Sequence, residues 1–176
     1  MNIFDNIPES KITPDSFYAC IEIPKGSNCK YEVDHESGFL VLDRILHTAT
    51  HYPHNYGFIP NTLSDDGDPL DVLVICSEPM VPLSLTEAYP IGILEMIDGG
   101  DLDEKIIAVC AHDANFNQYK DIDELPHHIC EEIKHFFSVH KQLEHVKETV
   151  VKEIQGHEAA KKSIARALEA YKAKQK

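Results

Sequence analysis

The chain has 176 residues, 30 of them acidic and 16 basic, for a formal charge of −14. That length suits one domain with its own core and no disulfide staples, and the acidic balance excludes a general nucleic-acid binder, which needs a basic footprint. Five cysteines, an odd number without a C-x-x-C pair, argue against a disulfide framework or zinc ribbon and for a reducing, cytoplasmic setting. No apolar run is long enough to span a bilayer, and the first residues lack the basic start and apolar core of a signal peptide, so neither membrane nor export is expected.

Residues 1–16 are polar, contain Pro8 and Pro14, and predict an irregular or partly helical lead-in. Residues 17–23 read as a strand, stopped by Pro24 and Gly26. Glu22 lies between two isoleucines and faces away from them, either towards water or as a cleft carboxylate. In residues 30–34, Lys30 and Glu32 share one face, the usual pattern of a surface ion pair. Glu36-Ser37-Gly38 predicts a hairpin turn, and residues 39–46 the returning strand, with Arg44 near its end. His47 and His51 have the spacing of a zincin helix but lack its glutamate, and Pro53 would end any helix there, so a zinc site with His54 is not supported. Residues 52–60 read as a loop entering a short strand, with Tyr52 and Tyr56 either packing or offering hydroxyl groups to a ligand.

The most informative stretch is Ser64-Asp65-Asp66-Gly67-Asp68-Pro69-Leu70-Asp71, which runs into the buried-strand pattern Val72-Leu73-Val74-Ile75. Gly67 permits a positive φ, and Pro69 pushes Asp68 towards extended geometry, so Asp66 and Asp68 can point the same way. Two like charges about 4 Å apart repel by roughly 4 kcal/mol at an effective dielectric of 20. A compensating cation is one answer, and hard oxygen donors suit Mg²⁺, Mn²⁺ or Ca²⁺; a solvated acidic turn is the other. The spacing does not fit an EF-hand, whose sixth loop position is Gly and twelfth Glu, where this chain has Asp71 and Ser77. A second strand region, 88–97, ends in another acidic loop, Asp98 to Lys105, which feeds the apolar run 106–110. Two acidic loops, each at a strand entrance, point to one shared metal site.

The remainder predicts helices. Asp121 and Asp123 are placed to cap one beginning near Leu125-Pro126, whose buried face would be Ile129, Ile133, Phe136, Phe137 and His140. Residues 146–154 contain a short-strand pattern. Gly156 precedes a last amphipathic helix to about Ala173, with Ala160, Ile164, Ala167, Leu168 and Tyr171 inward. Short strands followed by helices predict an α+β domain built on a small barrel or curled sheet.

The acidic turn resembles the Asp-Gly-Asp-Pro-x-Asp signature of the soluble family I inorganic pyrophosphatases. Ile21-Glu22-Ile23-Pro24, Lys30-Tyr31-Glu32, Asp43-Arg44, Tyr52-Pro53-x-Asn55-Tyr56-Gly57 and the Asp98…Asp103-x-Lys105 loop follow in that family's order. The resemblance implies a five-stranded OB-type β-barrel with peripheral helices, two of them C-terminal, and Mg²⁺-dependent hydrolysis of diphosphate, with Mn²⁺ or another divalent ion as a substitute. It implies that Asp66, Asp71 and Asp103 hold core metal ions, that Asp68 is the general base, and that Glu22, Glu32 and Asp98 bind ions arriving with substrate. Lys30, Arg44, Lys105 and Lys141 would grip phosphate oxygens, Tyr56 would place its hydroxyl near the metals, and Tyr52 would line the site. Short bacterial members are typically homohexamers.

Two departures stand out. The family's Tyr-Lys pair is here His140-Lys141, and its Gly-Lys-Trp-Val stretch reads Val146-Lys147-Glu148-Thr149 in a chain without Trp. An imidazole can replace a phenol as hydrogen-bond donor to phosphate, and His140 is then expected to add a protonation step between about pH 5 and 8. Three other functions compete. A Ca²⁺-binding module has no use for the lysines and arginine, and an OB-type nucleic-acid binder conflicts with the charge. A metal-dependent phosphatase for another phosphate ester is separated from diphosphate hydrolysis by the resemblance alone.

Overall fold

The computed structural model describes residues 7–34, 36–144 and 149–175. Eight strands and two helices follow one another as β1 (Phe17–Ile23), β2 (Cys29–Val33), β3 (Leu40–Ile45), β4 (Asn55–Ile59), β5 (Leu70–Ile75), β6 (Leu85–Asp98), β7 (Asp101–Cys110), α1 (His127–Val139), β8 (Thr149–Gly156) and α2 (His157–Lys174). The main sheet has the order β1-β4-β5-β7-β6-β8, and β1 also pairs with β6. That extra pairing closes a ring of five strands, β1-β4-β5-β7-β6, with β8 added outside on β6. Only β5 and β7 pair in parallel among these ladders. Counted along the barrel alone, the ring order is 1-2-3-5-4, the closed Greek key of the OB type. The hairpin β2–β3 forms a separate two-stranded sheet.

The barrel strands are apolar on both faces, and both are covered. One stripe, including Ile21, Val72, Val74, Ile106 and Ala108, packs against Ala160, Ile164 and Ala167 of α2. The other, with Leu73, Ile75, Ile107 and Val109, packs against Ile133, Phe136 and Phe137 of α1. Two backbone features tune this frame. The register of β1 against β4 shifts between Ile21 and Ile23, a bulge that re-aims Glu22. At Gly57 a Cβ would sit 1.8 Å from the Cys20 carbonyl oxygen, so β4 reaches β1 that closely only because this residue has no side chain.

Several boundaries differ from the sequence expectation. The second acidic loop is a two-residue Gly99-Gly100 turn with positive φ at both glycines, and Asp101 to Lys105 belong to β7. Gly-Gly supports the primed hairpin turn that matches strand twist, which lets β6 and β7 run to the turn. Asp121 caps the short 3-10 turn Ile122–Glu124, accepting from the Asp123 amide, whereas α1 has Pro126 at its N-cap and no side-chain cap. The strand expected over 146–154 is found as β8, and its first three predicted residues lie outside the described ones. Among the described residues no helix is long and apolar enough to cross a membrane.

Candidate active site

The site grows from the parallel pairing of β5 and β7. Asp71 stands in register with Lys105. Alternation puts Asp71, Leu73 and Ile75 on one face of β5, and Asp103, Lys105, Ile107 and Val109 on the same face of β7. One stripe is therefore core at one end and charged at the other. At the charged end the Lys105 ammonium bridges two carboxylates, bonded to Asp71 and 2.8 Å from Asp103. Lys105 is buried. Burial alone would release its proton, but the two aspartates outweigh that and hold its pKa above the ordinary lysine value. Burial raises Asp103 despite the ammonium beside it.

Tyr56 of β4 pairs with Leu73 and so faces the same end, where the Lys105 ammonium lies 5.7 Å from its ring centre. Its hydroxyl is held well above the usual phenol range, first by burial and then by Asp71, with which it hydrogen-bonds. Tyr52 packs against Tyr56 and Phe136, with ring centres 5.3 and 4.7 Å apart. The acidic turn hangs over this floor: Gly67 has φ +94°, and the Asp66 carboxylate accepts from the Asp68 amide at 3.0 Å. The bulged Glu22 is only 9% exposed and accepts from the Val33 amide at 2.8 Å. Burial, with Asp71 and Glu32 nearby, pushes its carboxyl up to about 8. It is thus a cleft carboxylate rather than a solvated one.

These groups face one cavity of about 380 Å³, lined by Glu22, Glu32, Asp66, Asp68, Asp71 and Asp103, by Lys30, Lys105 and Lys141, and by Tyr52, Tyr56 and His140. The structure thus gathers the expected set with two exceptions. Arg44 is absent from the lining; Asp43 and Glu144 hold its guanidinium, with Nε 2.9 Å from Glu144. Asp98 is also outside the lining, bonded to the Lys141 ammonium and 3.3 Å from the Thr149 hydroxyl. Burial would raise the Asp98 carboxyl, but Lys141 outweighs it and the pKa is lowered. Both exceptions sit behind a lining lysine: Asp98 one ion pair from the cavity through Lys141, and Arg44 two ion pairs away through the Asp43 that also meets Lys30 at 3.1 Å. Apolar lining from Val33, Phe58, Met96 and Phe137 had no signal beyond strand and helix periodicity. Glu144 was missed altogether; an acid just past a helix C-terminus, against the dipole, was the only hint.

His140 corrects one expectation. It is buried, stacked 4.9 Å from Phe136 at 24° and edge-on to Phe137. Burial first, then Lys141, lowers its pKa to about 4, so the ring stays neutral across pH 5–8 and supplies no protonation step there. Its Nδ1 lies 3.2 Å from the Phe137 carbonyl. A neutral ring must donate to that oxygen, which leaves Nε2 as a lone-pair acceptor rather than a donor. The hydrogen bond to a phosphate oxygen expected of a phenol is therefore not reproduced.

The donor set fits hard divalent cations. It is all oxygen, from two strands and one turn, and Asp71 and Asp103 already share a positive charge on Lys105. Among the described residues, no three His, Cys, Asp or Glu side chains close into a ready-made metal cluster; the ammonium fills the space between the two central aspartates.

Residues 19–172 match the family model described as inorganic pyrophosphatase. The chain is 50% identical over 157 residues to soluble inorganic pyrophosphatase 2 of Chlamydomonas reinhardtii, covering 89% of this chain and 81% of that protein. It is 46% identical over 171 residues to an inorganic pyrophosphatase of Aquifex pyrophilus, covering 96% and 97%. The solved inorganic pyrophosphatase of Helicobacter pylori superposes with a TM-score of 0.88 at 45% identity, over 90% of this chain and 95% of that one.

Proposed function

The chain belongs to the inorganic pyrophosphatase family and hydrolyses inorganic diphosphate to two phosphates, and we propose that it does so in the cavity at the α1 end of the barrel. The observation that carries the location is the meeting of six carboxylates and three ammonium groups on one surface. Diphosphate is heavily negative and repels an incoming hydroxide, so a hydrolase must neutralise it, generate the nucleophile and hold attack in line. A cavity with only carboxylates would repel the substrate, and one with only lysines would have no base.

The family is metal-dependent. Asp66, Asp71 and Asp103 would hold Mg²⁺, or Mn²⁺ in its stead, and Glu22, Glu32 and, from behind Lys141, Asp98 would serve ions that enter with substrate. Such ions, when bound, polarise phosphoryl oxygen and lower the pKa of bound water. The chain's own groups do the rest. Lys30, Lys105 and Lys141 offer point charges to phosphate oxygens, and Arg44 a fork of donors. The Asp68 carboxylate takes a proton from the attacking water while a new P–O bond forms and the bridging P–O bond breaks. The Tyr56 hydroxyl, kept protonated by its burial, remains a donor at any working pH. Val33, Phe58, Met96 and Phe137 limit the water that reaches the reacting phosphorus.

In this reading the 176 residues act as one domain, with five free thiols suited to a reducing cytoplasm, and with neither nucleic acid nor membrane as partner. A homohexamer would cover exposed apolar side chains such as Phe39, Ile45 and Val81; sedimentation gives its mass directly. The deciding assay is phosphate release from diphosphate with and without Mg²⁺, beside ATP and p-nitrophenyl phosphate. Mg²⁺-dependent release from diphosphate far above the other two is expected. Faster release from an ester would move the assignment to a different phosphatase.

A further inference from the structure

Arg44 is the phosphate-binding candidate held by a carboxylate that comes from outside its own hairpin and outside the proposed metal ligands. It lies on β3, in the two-stranded sheet that, among the described residues, has no ladder to the barrel. Its position against the cavity therefore depends on side chains. Val33 ties β2 to Glu22 and packs on Cys20 and Phe58, and Glu144 provides a link at Arg44 itself: it comes from the 3-10 turn Gln142–Glu144, a hundred residues later in sequence. The Glu144 side chain is 8% exposed, against 25% for Arg44, so the carboxylate is the buried, fixed member of the pair. Its own amide is bonded to the Lys141 carbonyl at 3.0 Å. The turn that carries Glu144 is thus the turn that carries Lys141.

A guanidinium has five N–H donors in a rigid fork. Glu144 takes Nε, and Asp43 takes one hydrogen of Nη1. The Nη2 edge has no bond among the described residues. A side-on contact of this kind fixes the plane of the group and leaves the far edge to meet an anion. Asp43 also binds the Lys30 ammonium at 3.1 Å. Lys30, Arg44 and Lys141 are thereby held in one frame that runs through Asp43 and Glu144.

We propose that Glu144 is a positioning residue for the diphosphate reaction, holding the Arg44 Nε so that the terminal nitrogens meet phosphate oxygens between Lys30 and Lys141. This rests on the reading of Arg44 as a phosphate ligand. Glu144 touches neither substrate nor metal in this scheme, and its effect passes through Arg44.

The test is a double-mutant cycle on the Mg²⁺-loaded enzyme, reading inorganic phosphate affinity by calorimetry and kcat and KM for diphosphate. Glu144→Ala should weaken phosphate binding about tenfold and lower kcat/KM to match, the scale of one misaimed charge-assisted donor. In an Arg44→Ala background the same change should cost less than about twofold, because nothing is left to aim. Glu144→Gln keeps an acceptor oxygen and should fall between parent and Ala; it also serves as the informative variant if the alanine protein does not fold. Full multiplication of the two effects would overturn the proposal, since Glu144 would then act independently of Arg44. Tighter phosphate binding in Glu144→Ala would overturn it too, by making Glu144 a restraint on Arg44. If Arg44→Ala alone leaves phosphate affinity unchanged, the reading of Arg44 falls and the positioning role with it. If Arg44→Ala weakens binding and Glu144→Ala does not, only the positioning role falls.

Discussion

The cavity has a floor and a rim, and the two are held by different physics. The floor is Asp71, Asp103 and Lys105 on paired barrel strands, where backbone hydrogen bonds set side-chain positions and Lys105 is buried. The rim is Lys30, Glu32, Asp43 and Arg44 on the β2–β3 hairpin, which is tied to the rest by ion pairs such as Arg44–Glu144. On the floor the Lys105 ammonium is desolvated, so it is costly without the two part-exposed aspartates that pair with it. Charges on the rim are part-exposed, so pairing there costs little to break and leaves the groups free to re-pair with substrate. The contrast suggests that the floor sets stability and chemistry while the rim sets substrate affinity.

The sharpest division should come from Asp68→Asn. Removing the proposed base is expected to lower kcat about 10²–10⁴-fold, with little change in Tm because Asp68 is exposed. A Tm drop without a rate loss would place Asp68 in the scaffold. Lys105→Met attacks the floor. With EDTA present it leaves Asp71 and Asp103 facing each other, and urea unfolding should show a loss of about 3–5 kcal/mol. A loss under about 1 kcal/mol would mean that the floor behaves like the rim. Saturating Mg²⁺ should raise stability by about 3 kcal/mol at a hundred times its Kd; a Tm indifferent to Mg²⁺ and EDTA would count against a shared metal site.

Acid probes the buried parts outside the floor. His54 is 5% exposed, with no hydrogen-bond partner for either ring nitrogen among the described residues. Its pKa is lowered to about 4 by burial and then by Lys25. The unfolded chain takes up the proton near 6.5, whereas the folded protein resists until about 4. The stability this preserves is complete above about pH 6.5 and is lost as pH falls towards 4. At pH 4.5, His54→Phe should therefore retain roughly 2 kcal/mol more of its neutral-pH stability than the parent, measured by urea unfolding at both values. His140→Tyr should leave the rate profile between pH 5 and 8 unshifted, since the histidine is already neutral there. The smallest effect belongs to the rim: Glu32→Gln breaks its pair with Lys30 and should change stability by less than about 1 kcal/mol, while raising KM.

Much of the floor could be read from the chain. Asp66-Gly67-Asp68-Pro69 carries its turn chemistry in its own residues, and the apolar runs after it announced β5 and β7. The bulge that turns Glu22 inward was less legible, because alternation alone left both faces open, and a register shift between strands is a property of the pair. His140 was misjudged for a similar reason. Its helical spacing marked it as inward, but its neutrality follows from Phe136 and Phe137 packed on the ring and from Lys141 beside it.

Local chemistry settled the turns, the strands, the two amphipathic helices and the acidic character of the site, because these depend on residues within a few positions of one another. Only the closed barrel could put Asp71 beside Lys105, and only the return of the chain after α1 could set Glu144 against Arg44. Those contacts join residues 34 and 100 positions apart. Whether a carboxylate meets a cation, water or another carboxylate is decided by which distant strand or turn packs over it, and desolvation there governs both its charge and its cost.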